Sequence, residues 1–292
     1  MKDKVTVVTV SYNADKVIEP TIKSVVNQTY PNLEYVIIDG SSTDNTLNII
    51  KKYSNKISAW YSEPDRGIYD GMNKGLDVAT GDWIIFMNAG DRFLHKNVLK
   101  DFFEEKEWGD NTAVIYGNSY KTNGILAKKE VVNSPFWKNK SYLHGSGICH
   151  QASFVKRSVA IQYPFNLKFK HAADMKMFND IYYAGYKFEY LQETVCLFDI
   201  TDSFGKRNPW SGIRDQAMIL NRYGTVSYYI YCLKELFIIK PKDWFASHIK
   251  SWIKYLNYNA YLKFQRKHGW QLTEEVTEDD WGLVGKLPKL AY

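Results

Sequence analysis

The chain has 292 residues, a formal net charge of +6 and a sequence pI near 8.9. This length is enough for one large domain with a sizeable core, and the apolar fraction of 45% is ordinary for a soluble protein. The basic charge suits a phosphate-bearing substrate or an anionic membrane surface. No recognition motif points to nucleic acid, which we exclude as a partner, and no segment has the apolar length of a membrane-spanning helix.

The cysteines Cys149, Cys196 and Cys232 lie far apart and form neither a CxxC pair nor an even disulfide framework. We therefore expect buried free thiols and a cytoplasmic location. The first residues, MKDKVTVVTVSYNADK, contain only a short β-branched run. This run predicts a strand, because the apolar core of a secretory signal would be longer and followed by a cleavage site.

Strands and helices alternate in the first third of the chain. A continuous β-branched run at residues 5–10 predicts a strand buried on both faces, and residues 18–26 have helical apolar spacing. Residues 33–38 and 83–87 predict further buried strands. This alternation predicts an α/β fold, in which a Rossmann-like, mostly parallel, doubly wound sheet is flanked by helices.

Polar residues follow three of these strands, with Ser11 after the first, Asp39 after the second, and Asn88 and Asp91 after the strand at 83–87. Because ligands of such sheets bind beyond the carboxyl ends of the strands, these side chains are expected at a common crevice. The first strand is followed by neither G-x-G-x-x-G nor G-x-x-x-x-G-K-[ST], which disfavours a dinucleotide oxidoreductase and a P-loop NTPase. A divalent cation on a carboxylate is the alternative means of holding phosphates.

Further along, residues 114–117 predict a strand, and the block HGSGICHQ at residues 144–151 suggests a loop that approaches a ligand. A helix is predicted over residues 171–185. Asp174 falls in its first turn, where a carboxylate also interacts favourably with the helix dipole whatever its function.

From about residue 223 the composition shifts toward aromatic residues and lysines, and residues 243–268 have the apolar periodicity of amphipathic helices. We therefore divide the chain into a domain at residues 1–222 and a helical C-terminal extension at 223–292. Two interpretations of the extension stay open. Its basic aromatic surface suits peripheral attachment to the inner face of the cell membrane. Alternatively, the helices pack on the first domain or form a homodimer.

Five stretches of the chain resemble the family 2 glycosyltransferases, which have the GT-A fold. They are VTVVTVSYN at 5–13, SVVNQTY at 24–30, EYVIIDGSSTD at 34–44, EPDRGIYDGMNKG at 63–75 and GDWIIFMNAGD at 81–91. The fourth stretch is similar to the subgroup that builds bacterial surface polysaccharides. The resemblance implies an inverting transfer of a sugar from a nucleoside diphosphate donor, a UDP-sugar, to a hydroxyl of a glycan or lipid-linked acceptor.

The same resemblance implies roles for particular residues. Asp39 would accept an N–H of the donor base, Asp91 would bind Mg²⁺ or Mn²⁺, and Asp174 would be the catalytic base. Most members have more aspartates where this chain has NAGD at 88–91, and a Glu where it has Ala173. The other residues that the family positions imply are the nucleotide-binding Thr9, Ser11, Asp65, Arg66, Lys74 and Asn88, the acceptor or sugar contacts His150 and Gln151, and Lys206 and Arg207 of a mobile loop.

Several alternatives stay open on the sequence. Arg66 could face the base or the diphosphate, Lys74 could be a solvated helix lysine, and His150 could be a core histidine. The depleted aspartate motif leaves room for a catalytically silent nucleotide-sugar binding module. A sugar nucleotidyltransferase would carry a glycine-rich basic loop after the first strand, and SYNA at 11–14 is not one. The sequence specifies neither donor sugar, acceptor nor linkage.

Overall fold

The computed structural model describes residues 2–123, 126–131, 148–200 and 209–273. Within these ranges the strands are β1 Val5–Ser11, β2 Leu33–Asp39, β3 Ala59–Ser62, β4 Trp83–Phe86, β5 Arg92–Phe93, β6 Thr112–Thr122, β7 Leu126–Glu130, β8 Ser153–Lys156, β9 Lys187–Asp199 and β10 Trp270–Leu272. The α-helices are α1 Ile18–Val26, α2 Thr46–Lys52, α3 Ile68–Val78, α4 Val98–Phe103, α5 Arg157–Gln162, α6 Ala173–Tyr183, α7 Pro209–Ile219, α8 Val226–Lys234, α9 Lys240–Leu256 and α10 Tyr258–Lys267.

The strands form one sheet, in the order β10-β7-β6-β8-β4-β1-β2-β3, with β9 pairing both β5 and β6. The neighbours β3, β2, β1 and β4 are parallel, as are β6 and β9. The other pairs are antiparallel. The α/β fold class is thus confirmed, and the sheet is mixed: crossover helices separate the first strands, whereas the short β6–β7 connection joins antiparallel neighbours.

Strand β1 is buried along its whole length, as its β-branched run predicts. Val5 and Val7 pack in one core with Ile18 and Ile22 of α1. Alternate residues such as Val8 face a second core that contains Met72 and Leu76 of α3. Helices therefore cover both faces of the sheet, which removes the polar side that an alternating strand would show.

Helix α3 packs close to β1 through two glycines one turn apart. A Cβ added at Gly75 would lie 2.4 Å from Cγ1 of Val8, and one at Gly71 would lie 2.7 Å from Cγ1 of Val10. No side chain larger than hydrogen fits at either position without movement of the core. This close approach sets the first turn of α3 beside the carboxyl ends of β1 and β2.

The segment after residue 222 is helical and then returns to the sheet. Helix α8, a π-helical turn at Glu235–Ile239 and α9 follow one another without a break, and α10 comes next. Strand β10 then pairs antiparallel with β7. In the part of the chain that the structure describes, no helix is long and apolar enough to cross a membrane. The three cysteines, Cys149, Cys196 and Cys232, are free thiols.

The buried carboxylate of Glu34 lies near the amino-terminal ends of the parallel strands and accepts several hydrogen bonds. Glu34 accepts hydrogen bonds from Lys4 Nζ at 2.8 Å and Thr6 Oγ1 at 2.6 Å. It also accepts the Thr80 N–H at 2.8 Å and the Thr80 hydroxyl at 2.6 Å. Burial alone would raise the pKa of Glu34, but these donors outweigh it and lower the pKa to about 2.

We therefore predict that Glu34→Gln lowers the free energy of unfolding by about 2–3 kcal/mol at neutral pH. The ordinary pKa of 4.5 falls to about 2 on folding, so this stabilisation is complete above pH 4.5 and is lost as the pH falls toward 2. Urea titrations of both proteins across this range measure it. The exposed Glu105→Gln is the control, and a difference from wild type that does not change with pH would contradict the prediction.

Candidate functional site

The carboxyl ends of β1, β2 and β3 carry a cluster of hydroxyls around Asp39. Ser11 is paired with Asp39 across β1 and β2, and Asp39 with Ser62 across β2 and β3. The buried Asp39 carboxylate accepts hydrogen bonds from Ser11 Oγ at 3.0 Å, Ser62 Oγ at 2.8 Å, and both the N–H and Oγ of Ser42 at 2.8 and 2.5 Å. Four donors occupy about all the lone pairs of a carboxylate. Any further donor to this carboxylate would therefore replace one of these hydroxyls.

Thr9, predicted in the same pocket, lies in the core. Its side chain is fully buried, and its hydroxyl donates to the Met87 carbonyl at 2.7 Å and lies 3.0 Å from the Tyr35 hydroxyl. Because these partners belong to β2 and the end of β4, the Thr9 hydroxyl joins strands together. Any contact of Thr9 with a ligand would have to come from its backbone.

The loop at residues 63–67 is held by the first turns of α3. Lys74 Nζ donates to the Pro64 carbonyl at 2.7 Å and pairs with Glu63 at 2.8 Å. The Arg66 guanidinium pairs with Asp70 at 2.7 Å, yet its side chain is 78% exposed. Lys74 thus fastens the loop, whereas the Arg66 charge is accessible from solvent.

Asp65 connects this loop to the Asp39 cluster. Its Oδ1 accepts the Gly67 N–H at 2.9 Å. Its other oxygen lies against Gly40, where an added Cβ would come within 2.6 Å of it. Because residue 40 is a glycine, the Asp65 carboxylate can lie against the strand ends. The two predicted nucleotide-binding aspartates, Asp39 and Asp65, therefore lie at the same strand ends.

The turn after β4 holds Asp91. Gly90 has a φ of 104°, a left-handed conformation that favours glycine, and the Asp91 N–H donates to the Asn88 carbonyl at 2.9 Å. The Asp91 carboxylate accepts Gln151 Nε2 at 3.1 Å and the Asp199 N–H at 3.1 Å. Burial raises the pKa of Asp91 to about 6, because these donors and the nearby His150 only partly compensate the lost hydration.

The oxygen atoms of the side chains in this turn suit a hard divalent cation. Within the described part of the chain, the buried Oδ1 of Asn88 has no hydrogen-bond partner. Mg²⁺ and Mn²⁺ prefer oxygen ligands and often take one or two from the protein, with phosphates and water completing the shell. No group of three or more His, Cys, Asp or Glu side chains able to hold a metal occurs among the described residues. Asp91 and Asn88 thus supply two oxygen ligands of the kind that such a cation prefers.

A hydrogen-bonded chain joins Asp174 to the same turn. Asp174 lies in the first turn of α6, and its Oδ2 is 3.1 Å from His150 Nδ1. Its Oδ1 accepts the Tyr69 hydroxyl at 3.0 Å. His150 Nε2 in turn lies 3.4 Å from Asn88 Nδ2. Because its partner is a carboxylate, His150 Nδ1 carries a proton in both the neutral and the positively charged imidazole.

The charges in this hydrogen-bonded network favour an ionised Asp174. Burial would raise its pKa, but the hydrogen bond and charge of His150 outweigh burial, so the pKa of Asp174 lies below its ordinary value. In the same way, Asp174 outweighs the burial of His150 and raises the His150 pKa. The Asp174 side chain keeps 21% of its surface exposed. An ionised, oriented and accessible carboxylate can accept a proton from a bound hydroxyl.

The short helical turn His150–Ala152 connects the two acidic centres. His150 contacts Asp174 and Gln151 contacts Asp91, so both side chains, predicted as acceptor or sugar contacts, bind aspartates of the protein. Sequence reasoning missed Tyr69, because only the fold brings it to Asp174 across 105 positions of the chain. The predicted Lys206 and Arg207 lie outside the described residues.

We predict that His150→Gln raises the pKa of Asp174, because the substitution removes the cation that opposes burial. Carbon-13 NMR titration of the aspartate carboxyl groups measures this change, with Asp174→Asn identifying the resonance. His95, whose Nε2 lies 3.7 Å from Asp101 Oδ2, forms another histidine–aspartate pair, and His95→Gln is the matched control. An Asp174 pKa that is unchanged in His150→Gln would contradict the electrostatic account.

Comparison with known proteins identifies the family to which the chain is similar. Residues 6–163 match the sequence profile of the family described as Glycosyl transferase family 2. A PGL/p-HBAD biosynthesis glycosyltransferase of Mycobacterium bovis (strain BCG / Pasteur 1173P2) is 29% identical over an alignment of 178 residues, and the alignment covers 56% of this chain and 63% of that protein. The alignment thus spans less than two thirds of the length of this relative.

Two solved structures resemble the fold at low sequence identity. Residues 1–349 of S. aureus TarS in complex with UDP-GlcNAc align with a TM-score of 0.57 and 20% identity, covering 74% of this chain and 66% of TarS. Glucosyl-3-phosphoglycerate synthase from Mycobacterium tuberculosis with Mn²⁺, UDP and glucosyl-3-phosphoglycerate aligns with a TM-score of 0.52 and 14% identity, covering 76% and 81%. The profile match extends over more than half of the chain. The chain therefore belongs to glycosyl transferase family 2.

Proposed function

We propose that the protein transfers a sugar from a UDP-sugar to a hydroxyl group of a glycan or lipid-linked acceptor, with inversion at the anomeric carbon. The observation that carries this proposal is the set of three carboxylates in different environments: Asp39 lies among serine hydroxyls, whereas Asp91 and Asp174 bind the neighbouring residues Gln151 and His150. The UDP and UDP-GlcNAc bound in the similar structures support the choice of donor.

The donor nucleotide would bind at the Asp39 cluster. The base would approach Asp65 and the buried Asp39 and Ser11 at the strand ends, and its N–H would replace a serine hydroxyl on the Asp39 carboxylate. The exposed guanidinium of Arg66 is available to the negative charge of the diphosphate. Lys74 would act indirectly, because its ammonium group holds the loop that carries Asp65 and Arg66.

Asp91 and Asn88 would hold Mg²⁺ or Mn²⁺. When bound, such a cation supplies positive charge to the leaving diphosphate. Mn²⁺ accompanies UDP in the similar glucosyl-3-phosphoglycerate synthase, which supports this assignment. The contribution of Gln151 is to orient the Asp91 carboxylate through its 3.1 Å hydrogen bond.

Asp174 would act as the base of a single displacement. As the acceptor oxygen attacks the anomeric carbon, its proton passes to Asp174, while the bond to the diphosphate breaks and its electron pair leaves with the phosphate. Attack from the face opposite the leaving group inverts the anomeric carbon. Tyr69 and His150 position the carboxylate by occupying one lone pair on each oxygen.

The remaining parts of the proposal concern the whole protein. We infer that residues 1–222 form the transferase domain and residues 223–292 an extension, and that the protein works in the cytoplasm in polysaccharide biosynthesis. The glycosyltransferase names of the relatives support this role, and the free thiols support the location.

We expect Asp174→Asn to lower donor turnover by roughly 10²–10⁴-fold, the usual contribution of general base catalysis, and to leave UDP binding intact. UDP release from a panel of UDP- and GDP-sugars measures turnover, with water as the acceptor where no other is known. Asp180→Asn on the same helix, where Asp180 pairs with Lys176, is the matched control. Equal hydrolysis by wild type and Asp174→Asn would contradict the base, and UDP binding without turnover of any donor would favour a silent binding module.

We expect Asp91→Asn to abolish the dependence of UDP affinity on Mn²⁺, because the neutral amide lacks the negative charge with which the Asp91 carboxylate would bind the cation. Isothermal calorimetry with UDP, with and without Mn²⁺, measures this dependence in both proteins. Asp77→Asn, at an exposed position of α3, controls for the change of charge. Retention of the full Mn²⁺ effect in Asp91→Asn would contradict the assigned ligand.

A further inference from the structure

The C-terminal helical run, residues 226–256, exposes an unusual amount of apolar surface. In its first turns, Val226, Tyr229, Ile230 and Leu233 are all exposed, with Val226 exposed at 76%. Their spacing of three, four and seven residues sets them on one face of a helix. This face therefore presents a continuous apolar stripe to solvent.

Exposed apolar side chains continue through the π-helical turn into α9. Phe237 is 70% exposed, and the other large apolar side chains exposed in this stretch are Leu236, Ile238, Trp244 and Phe245. Soluble monomers rarely expose contiguous apolar patches larger than a few hundred Å². A surface of this kind needs a partner that covers it.

The charge around the stripe is strongly positive. Residues 223–268 contain seven lysines and one arginine, against the two acids Glu235 and Asp243. The Glu235 side chain is buried and accepts a hydrogen bond from the Tyr231 hydroxyl, so its charge is withdrawn from the surface. Lys234 and Lys242, in contrast, are exposed beside the stripe.

We propose that the C-terminal helical run is a docking surface for an anionic lipid bilayer. The run would lie flat in the headgroup region, with the aliphatic and aromatic side chains at the acyl boundary and the lysines reaching the lipid phosphates. Tyr229 and Trp244 suit this region, because their rings combine an apolar body with a polar group. The negative charge of the lipid surface attracts the lysines of the run.

A second copy of the chain fits this surface less well than a bilayer does. In a two-fold dimer the stripe would meet its own copy, so lysines would face lysines. Facing like charges oppose association, and the segment has few acids to offset them. Anionic lipids supply the missing negative charge across the whole length of the run. Charge complementarity therefore selects the bilayer.

Docking would also bring the transferase site to a surface where lipid-linked acceptors lie. Helix α10 leads from the run to β10, which pairs with β7 of the catalytic sheet. Only this consequence rests on the proposed function. The docking itself is measured without donor or acceptor, and UDP release is measured without lipid, so failure of one proposal is distinguishable from failure of the other.

The first test is co-sedimentation of the full chain with vesicles. Wild type is expected to bind vesicles of phosphatidylcholine with phosphatidylglycerol, and to remain in solution with phosphatidylcholine alone. The triple variant Tyr229→Ser, Phe237→Ser, Trp244→Ser is expected to bind the anionic vesicles at least about tenfold more weakly, because binding scales with inserted apolar area. These side chains are exposed, so UDP release without lipid should match wild type.

A second variant tests the charges. Lys234→Gln, Lys242→Gln and Lys250→Gln together should remove the preference for anionic lipid, as should high salt with wild type. The control carries Ile161→Ser and Tyr183→Ser, which remove exposed apolar side chains of α5 and α6, and it should bind as wild type does. The proposal would be overturned if wild type failed to bind anionic vesicles, or if the triple serine variant and the Ile161→Ser, Tyr183→Ser control bound them equally. It would also be overturned if wild type formed a dimer that the triple serine variant does not form.

Discussion

Removal of a carboxylate from water is unfavourable unless hydrogen bonds or a cation replace its hydration, and the candidate site contains three carboxylates under this constraint. Asp39 is surrounded by four donors from its own strand ends and loop. Asp174 is paired with His150 and bonded to Tyr69. Asp91 is buried with less compensation, and its pKa rises to about 6. These differences in compensation give three identical side chains different electrostatic environments.

The incomplete compensation of Asp91 makes its surroundings receptive to positive charge. Beside it in the same turn, Asn88 carries a buried amide oxygen without a partner in the described part of the chain. Both features would be relieved by one cation, which would lower the Asp91 pKa and give the amide oxygen a ligand bond. Asp39, whose lone pairs are all engaged, has no comparable capacity. The two carboxylates, at the ends of strands that flank β1, are therefore suited to different partners.

The sheet brings these centres together because its two halves meet at β4. The parallel half supplies Asp39 and the turn that contains Asp91, and the antiparallel half supplies β8, directly after the His150–Ala152 turn. Helix α3 approaches through Gly71 and Gly75, which brings Tyr69 to the helix that carries Asp174. The site thus depends on one close helix–strand contact and on one mixed strand order. Neither the antiparallel half nor this contact follows from local sequence pattern.

The sequence by itself determined the α/β class, the doubly buried first strands and the position of Asp39 and Asp91 at strand ends, because these features depend on periodicity and on residues close in the chain. It also led to the family through local motifs. Only the tertiary structure decided that Thr9 faces the core, that Lys74 fastens a loop, and that His150 and Gln151 bind Asp174 and Asp91. These contacts join residues 10 to 78 positions apart. Side-chain direction across such distances is set by packing, which local pattern does not encode.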